Sequence, residues 1–181
     1  VGRGVSRVVL ASRSGRVVRD GQGLEVQLRA LGARASVVAC DSSDPRDTGA
    51  LIGHCQAVTG VLHAAGAADK GLLAGLVALR VQWMFAPKAS GAWYLHCASA
   101  TAPLAAQVLF SSVGSGLGNV GQANWAAANA CLDSHARLRR AHGVVACSLQ
   151  WPLVGGAGMG AAAFAALAER QVSIMGMAGI T

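Results

Sequence analysis

The chain is poor in aromatic residues and in charge. One tyrosine, three phenylalanines and four tryptophans in 181 residues, with only 13% charged residues, leave little material for a nucleic-acid platform, which interleaves aromatics with cations. Low charge beside 53% hydrophobic residues also excludes a disordered chain, because such a sequence buries enough apolar surface to offset the entropy of ordering. The five cysteines (Cys40, Cys55, Cys97, Cys131, Cys147) include no CxxC pair, and the five histidines have no ligand spacing to cysteines or carboxylates. No metal site is expected. The odd cysteine count argues against a closed disulfide set, so the cysteines read as small core residues of a protein in a reducing, cytoplasmic compartment. A long apolar helix is lacking too. Gly143 to Ala168 carries no charge, but Pro152 and glycines 155, 156, 158 and 160 break it up, whereas a membrane span needs about 20 continuous, mostly apolar residues. A phosphate-binding glycine loop is also missing. Gly2-Arg3-Gly4 precedes a strand, and the dinucleotide fingerprint needs a strand before it and a helix after it.

The net charge of +7 gathers at the N-terminal end, in Arg3, Arg7, Arg13, Arg16 and Arg19. Without a recognition motif beside them, these read as solvated arginines around one anionic ligand site. Behind them, short apolar runs alternate with helical periodicity. Strands are predicted at 7–11, 35–40, 58–62, 106–110 and 144–149. Helices are predicted at 23–31, 45–54, 71–85, 87–100 and 120–142, with a further one from Ala161 to Arg170. Gly32 stops the first helix, and Asp44-Pro45 is a cap followed by proline at the first helical position. This alternation predicts an α/β fold, a doubly wound parallel sheet of the Rossmann type.

Phe110-Ser111-Ser112, then Gly121-Gln122-Ala123-Asn124-Trp125-Ala126-Ala127-Ala128-Asn129, and Lys88 within Phe85-Ala86-Pro87-Lys88 together resemble the active site of ketoreductase domains of type I polyketide and fatty-acid synthases. These belong to the short-chain dehydrogenase/reductase superfamily. The likeness runs from about Gly4 to Met159. Lys88 lies 24 residues before Ser112, and Trp125 lies 13 after it. The resemblance implies that Ser112 bonds the substrate carbonyl, that Lys88 holds the nicotinamide ribose, and that Asn129 helps to position the lysine and a relay water. It implies a tyrosine as proton donor at the position of Trp125. An indole N–H donates a hydrogen bond but has no useful acidity, so reduction by this chain is expected to be severely impaired. Tyr94, the lone tyrosine, falls about 120° around the helix from Lys88 and reads as a packing residue.

The resemblance extends to the cofactor. Leu10 to Gly15 looks like the second strand and the turn that receives the 2′-phosphate of NADPH, with Ser12 and Arg13 as its polar residues. Arg13 is alternatively an ordinary turn arginine. Cys40-Asp41 is similar to the strand end whose aspartate contacts adenine, and His63-Ala64-Ala65-Gly66 to the segment whose backbone packs on the cofactor ribose. The implied substrate is a β-ketoacyl chain on the phosphopantetheine of an acyl carrier protein, with neighbouring synthase domains as partners. The alternative is a non-catalytic structural or cofactor-binding remnant. Ala68-Asp69-Lys70 stands where one stereochemical class carries Leu-Asp-Asp, and Leu117 where the other carries tryptophan, so hydroxyl configuration is left open. Leu149-Gln150-Trp151-Pro152 parallels a Leu-x-Trp-Gly motif, and Gly158-Met159 matches the Gly-Met that follows it. In this family the first strand lies between the second and the fourth. The chain reads as lacking that strand, its glycine loop and the last strand, which makes residues 1–181 one partial ketoreductase domain with two bare inner strand edges.

Overall fold

A computed structural model of the chain describes residues 5–17, 23–118 and 120–152. The expected Ala161–Arg170 helix and Gly158-Met159 lie outside the described residues. Five strands, β1 (Val8–Ser12), β2 (Ala35–Ala39), β3 (Gly60–His63), β4 (Ala106–Ser112) and β5 (Cys147–Trp151), alternate with six helices. The helices are α1 (Leu24–Leu31), α2 (Pro45–His54), α3 (Ala78–Phe85), α4 (Gly91–Ala98), α5 (Gly114–Leu117) and α6 (Ala123–Ala141). All pairings are parallel: β1 with β2, and β3 with β4 and β5 in the order β3-β4-β5. Among the described residues the strands therefore form two separate sheets, and neither β1 nor β3 pairs on its inner side.

Local chemistry accounts for most element ends. Asp44 caps α2, its Oδ1 accepting from the Arg46 and Asp47 amides at 2.7 and 3.4 Å, with Pro45 at the first position where no N–H is needed. Gly32 follows α1 with φ 58°, a left-handed turn that glycine takes without a Cβ penalty. β4 alternates, with Gln107, Leu109 and Ser111 buried, as a period of two requires of a strand covered on one side by helices. Leu109 meets Ala92, Leu132, Ala136 and Ala146 in the core. The alanines of α4 and α6 let the helix backbones approach the sheet closely.

The structure departs from the sequence reading in three respects. The helix expected over 71–85 begins only at Ala78, after a 3₁₀ turn at Leu73–Gly75; Gly71 and Gly75 make the earlier residues poor helix formers. From Ala78 the chain instead runs helically to Ala98, through a π turn at Ala86–Ser90 whose exit amide, Gly91 N–H, reaches back to Ala86 O. Pro87 has no N–H to give to the helical ladder, and the wider turn absorbs that loss. The cysteines are not uniformly core residues. Cys40 is buried and Cys55 half-buried, whereas Cys97, Cys131 and Cys147 are exposed, on helices α4 and α6 and at the start of β5.

Candidate active site

In parallel α/β sheets, ligands bind outside the carboxyl ends of the strands. Every candidate site residue on a strand falls there. Ser12 ends β1, Asp41 follows β2, His63 ends β3 and Ser112 ends β4. The β1 end is a tight turn. Ser12 O accepts from the Gly15 and Cys40 amides at 3.0 and 2.9 Å, while Ser12 Oγ donates to Arg16 O at 3.0 Å and accepts from Arg16 N at 3.2 Å. Gly15 holds φ 63°, and a Cβ there would sit 3.0 Å from Ala39 N, so only glycine fits against β2. This turn leaves Arg13 exposed, with its charge acting on Asp41. Asp41 is held by the Ser43 hydroxyl and amide at 2.6 and 2.9 Å, and those bonds keep its carboxyl below the ordinary value. The β1 and β2 ends thus offer one exposed guanidinium and one oriented carboxylate side by side.

The other half of the site surrounds α6. Lys88, placed by the π turn, is 5% exposed. Its Nζ donates to Phe110 O at 3.3 Å and lies 6.0 Å from the centroid of the Trp125 ring. Burial of the ammonium pushes its pKa down to about 8, against an opposing pull from Asp133. His63 is buried, and its Nε2 lies 3.2 Å from Lys88 O, so an Nε2–H donated to that carbonyl fixes the tautomer. Burial also lowers the His63 pKa, keeping a second cation away from the lysine. Gly91 admits this ring: a Cβ there would lie 3.0 Å from His63 Cε1. Ala64 is exposed, and Ala65 and Gly66 are half-buried in the loop that continues beyond β3.

Ser112 is buried, with its Oγ accepting from Gly114 N at 3.1 Å. That bond leaves the hydroxyl hydrogen available to donate elsewhere. Asn129 is fully buried; its Nδ2 donates to Trp125 O at 2.8 Å, and among the described residues no donor reaches its Oδ1. A buried carbonyl oxygen with no partner costs free energy unless water or a ligand supplies one. The six-membered ring of the Trp125 indole lies against Gly114. A Cβ at Gly114 would fall 2.8 Å from Trp125 Cζ3 and 3.5 Å from Ser112 Oγ. Lys88, Ser112, Trp125 and Asn129 therefore form one group, while Ser12, Arg13 and Asp41 form another. Tyr94 is half-buried on α4.

Sequence reasoning missed two supporting networks. Asp69 accepts from Arg80 Nε at 3.1 Å and from Asn124 Nδ2 at 2.9 Å, and Asn124 Oδ1 accepts from Trp125 N at 2.9 Å. Together with the bond from Gly71 N to Gly121 O at 2.8 Å, this straps the 69–71 loop to the start of α6. Asp133 gathers Ser115, Ser148 and Gln150 around one carboxylate. It stands four residues after Asn129, one helical turn along the same face, and that spacing was the available signal.

The family profile for the KR domain matches residues 1–156. Polyketide synthase GfsA of Streptomyces halstedii is 43% identical over 180 residues, covering 98% of this chain and 2% of that protein. Mycoketide-CoA synthase of Mycobacterium tuberculosis is 40% identical over 153 residues, covering 83% of this chain and 4% of that protein. Among solved structures, an A-type ketoreductase from a modular polyketide synthase superposes with TM-score 0.80 at 36% identity, over 86% of this chain and 34% of that one. A ketoreductase domain from the bacillaene assembly line gives TM-score 0.78 at 29% identity, over 98% of this chain and 44% of that one. The chain thus spans a few per cent of the synthases and less than half of the ketoreductases it matches. A short-chain dehydrogenase/reductase from Brucella melitensis shares the fold, at 17% identity and TM-score 0.69. On this sequence and structural agreement, the chain belongs to the KR domain family, the ketoreductase domains of type I polyketide synthases.

Proposed function

We propose that this chain carries the cofactor- and substrate-facing groups of a ketoreductase for a β-ketoacyl chain on an acyl carrier protein, and that Trp125 severely impairs the reduction. Domains of this family bind a nicotinamide cofactor, and the residues fit NADPH at two points. Arg13, exposed at the Ser12–Arg16 turn, offers a planar fork for a 2′-phosphate, with Asp41 beside it for the adenosine end and the Ala64–Gly66 backbone for the ribose. Lys88 Nζ and the unpartnered Asn129 Oδ1 offer a donor and an acceptor for the nicotinamide ribose and a water. When bound, NADPH supplies the hydride. The protein's own contributions are then separate. Ser112 Oγ–H donates toward a carbonyl oxygen as charge builds on it. Lys88 orients the ribose hydroxyls. Asn129 holds the Trp125 carbonyl and a water. Trp125 covers Gly114 without a proton to give.

The observation that carries this reading is the convergence of Lys88, Ser112 and Asn129 on Trp125 rather than on an acid. General acid catalysis contributes about 10²–10⁴-fold, so Trp125→Tyr is expected to raise turnover of a simple ketone by at least about 10²-fold. NADPH binding, followed by energy transfer from the tryptophans, should remain saturable in both proteins. Equal turnover in the two would refute the impairment. Saturable NADPH binding with no turnover in either would favour the non-catalytic cofactor-binding reading, for which Trp125 in the place of a proton donor speaks. The carrier-protein partner and the neighbouring synthase domains follow from the same reading.

A further inference from the structure

The Asp133 carboxylate does more than fill space beneath the site. Its Oδ2 accepts from Ser115 Oγ at 2.6 Å and Gln150 Nε2 at 2.8 Å, and its Oδ1 accepts from Ser148 Oγ at 2.6 Å. The Ser111 hydroxyl also faces it while donating to Asn129 O at 3.3 Å. One side chain on α6 therefore grips α5 through Ser115 and β5 through Ser148 and Gln150, while Ser111 at the end of β4 bonds the α6 backbone at Asn129. Those are the elements flanking Ser112 and Phe110 O, the acceptor of Lys88. Half-burial of a carboxylate is costly unless hydrogen bonds satisfy it. Here the donors prevail, holding the carboxyl below its ordinary value although burial alone would raise it.

We propose that Asp133 is a positioning residue of the site: it clamps α5 and β5 to α6 beside the end of β4 that carries Ser112 and Phe110 O, the acceptor of Lys88. The charged and titratable groups around Lys88 are few among the described residues. His63 on β3 is neutral for the reasons above, so Asp133 on α6 is the group that opposes burial of the lysine charge. A site that must keep this ammonium protonated near neutral pH needs such a counter-charge, because desolvation alone drives a buried lysine toward its neutral form. The inference rests on Lys88 as the site's lysine but on neither turnover nor bound cofactor. Failure of the reductase reading would therefore leave it intact.

The test is the reactivity of Lys88 toward acetic anhydride as a function of pH, read by mass spectrometry of the Lys88 peptide in the full chain. The wild-type midpoint is expected near 8. Asp133→Asn keeps the shape and removes the charge. It should lower the midpoint by about half a unit or more, equivalent to about threefold faster labelling at pH 7. Asp133→Glu, which keeps the charge, should restore the wild-type midpoint. An unchanged midpoint in a folded Asp133→Asn protein, judged by circular dichroism, would overturn the proposal. If that variant does not fold, the wild-type chain decides by NMR. The Asp133 carboxyl carbon should shift with the Lys88 midpoint, and a flat trace from pH 7 to 9 would refute the coupling.

Discussion

A methyl group placed on Gly114 would lie 2.8 Å from Trp125 Cζ3, about 1 Å inside the optimum for two carbons. The indole cannot retreat freely, because α6 carries it and Asn124 and Asn129 fix the backbone on either side. Overpacking of this kind costs about 1–3 kcal/mol. Against it stand about 1 kcal/mol of helix propensity and a smaller gain from restricting the unfolded chain, since Gly114 opens α5 without a positive φ. Gly114→Ala should therefore destabilise the protein by about 1 kcal/mol. In a Trp125→Ala background the clash is gone and the same change should stabilise by about 1 kcal/mol. Urea denaturation of the four proteins, followed by circular dichroism, gives the coupling, expected at about 2 kcal/mol. A coupling below about 0.5 kcal/mol, or stabilisation by Gly114→Ala with Trp125 present, would show that the indole does not lie over Gly114.

Two further outcomes follow from the core and its outer face. Leu109, fully buried against Leu132, Ala92, Ala136 and Ala146, should cost about 2–5 kcal/mol when cut to alanine; a smaller loss in a urea melt would mean that the core collapses around it. His135, pushed down to about 4 by burial and then by His96, Arg139 and His63, cannot take up a proton that the unfolded chain binds below its ordinary 6.5. Stability should therefore fall as pH drops from 6.5 to 4. His135→Phe should make that slope shallower in thermal melts across the window; an identical slope would place the acid sensitivity elsewhere.

How far the sequence could be read depends on which physical signal each feature leaves. Strands and the α2 cap were legible because buried runs such as Gln107–Phe110 and the Asp44-Pro45 pair act through nearest neighbours. The candidate lysine, serine and asparagine were singled out by their spacing in a family pattern. The structure brings Lys88, Ser112, Trp125 and Asn129 near one another. The π turn carrying Lys88 was not legible, since it arises from a missing N–H at Pro87 that a periodicity reading treats as a helix boundary. The Asp69–Arg80–Asn124 strap and the Asp133 cluster join residues up to 55 positions apart, and no local rule connects them. The exposed cysteines show the converse error: composition ranks Cys as a core residue, but position along the strand or helix decides.

The tryptophan also alters the energetics of the lysine beside it. A cation 6.0 Å from an indole centroid is at the distance limit of a useful cation–π contact, so the ring offsets little of the lysine's burial. Burial, by contrast, lowers the Lys88 pKa from 10.5 to about 8, and a shift of that size penalises the charged form by about 3 kcal/mol. Folding alone therefore does not favour this lysine; a ligand that accepts its hydrogens would. Lys88→Met should stabilise the ligand-free chain by about 2 kcal/mol at pH 7, once about 1 kcal/mol is set aside for the lost bond to Phe110 O. The sign can be checked by pH. With the folded value lowered, the unfolded chain holds more protons between pH 8 and 10.5, so wild-type stability should rise through that window and Lys88→Met should lack the rise. The same variant should lose saturable NADPH binding. A destabilised Lys88→Met, or one that keeps the full alkaline rise, would show that the ammonium is not buried at the cost derived from its place beneath Trp125.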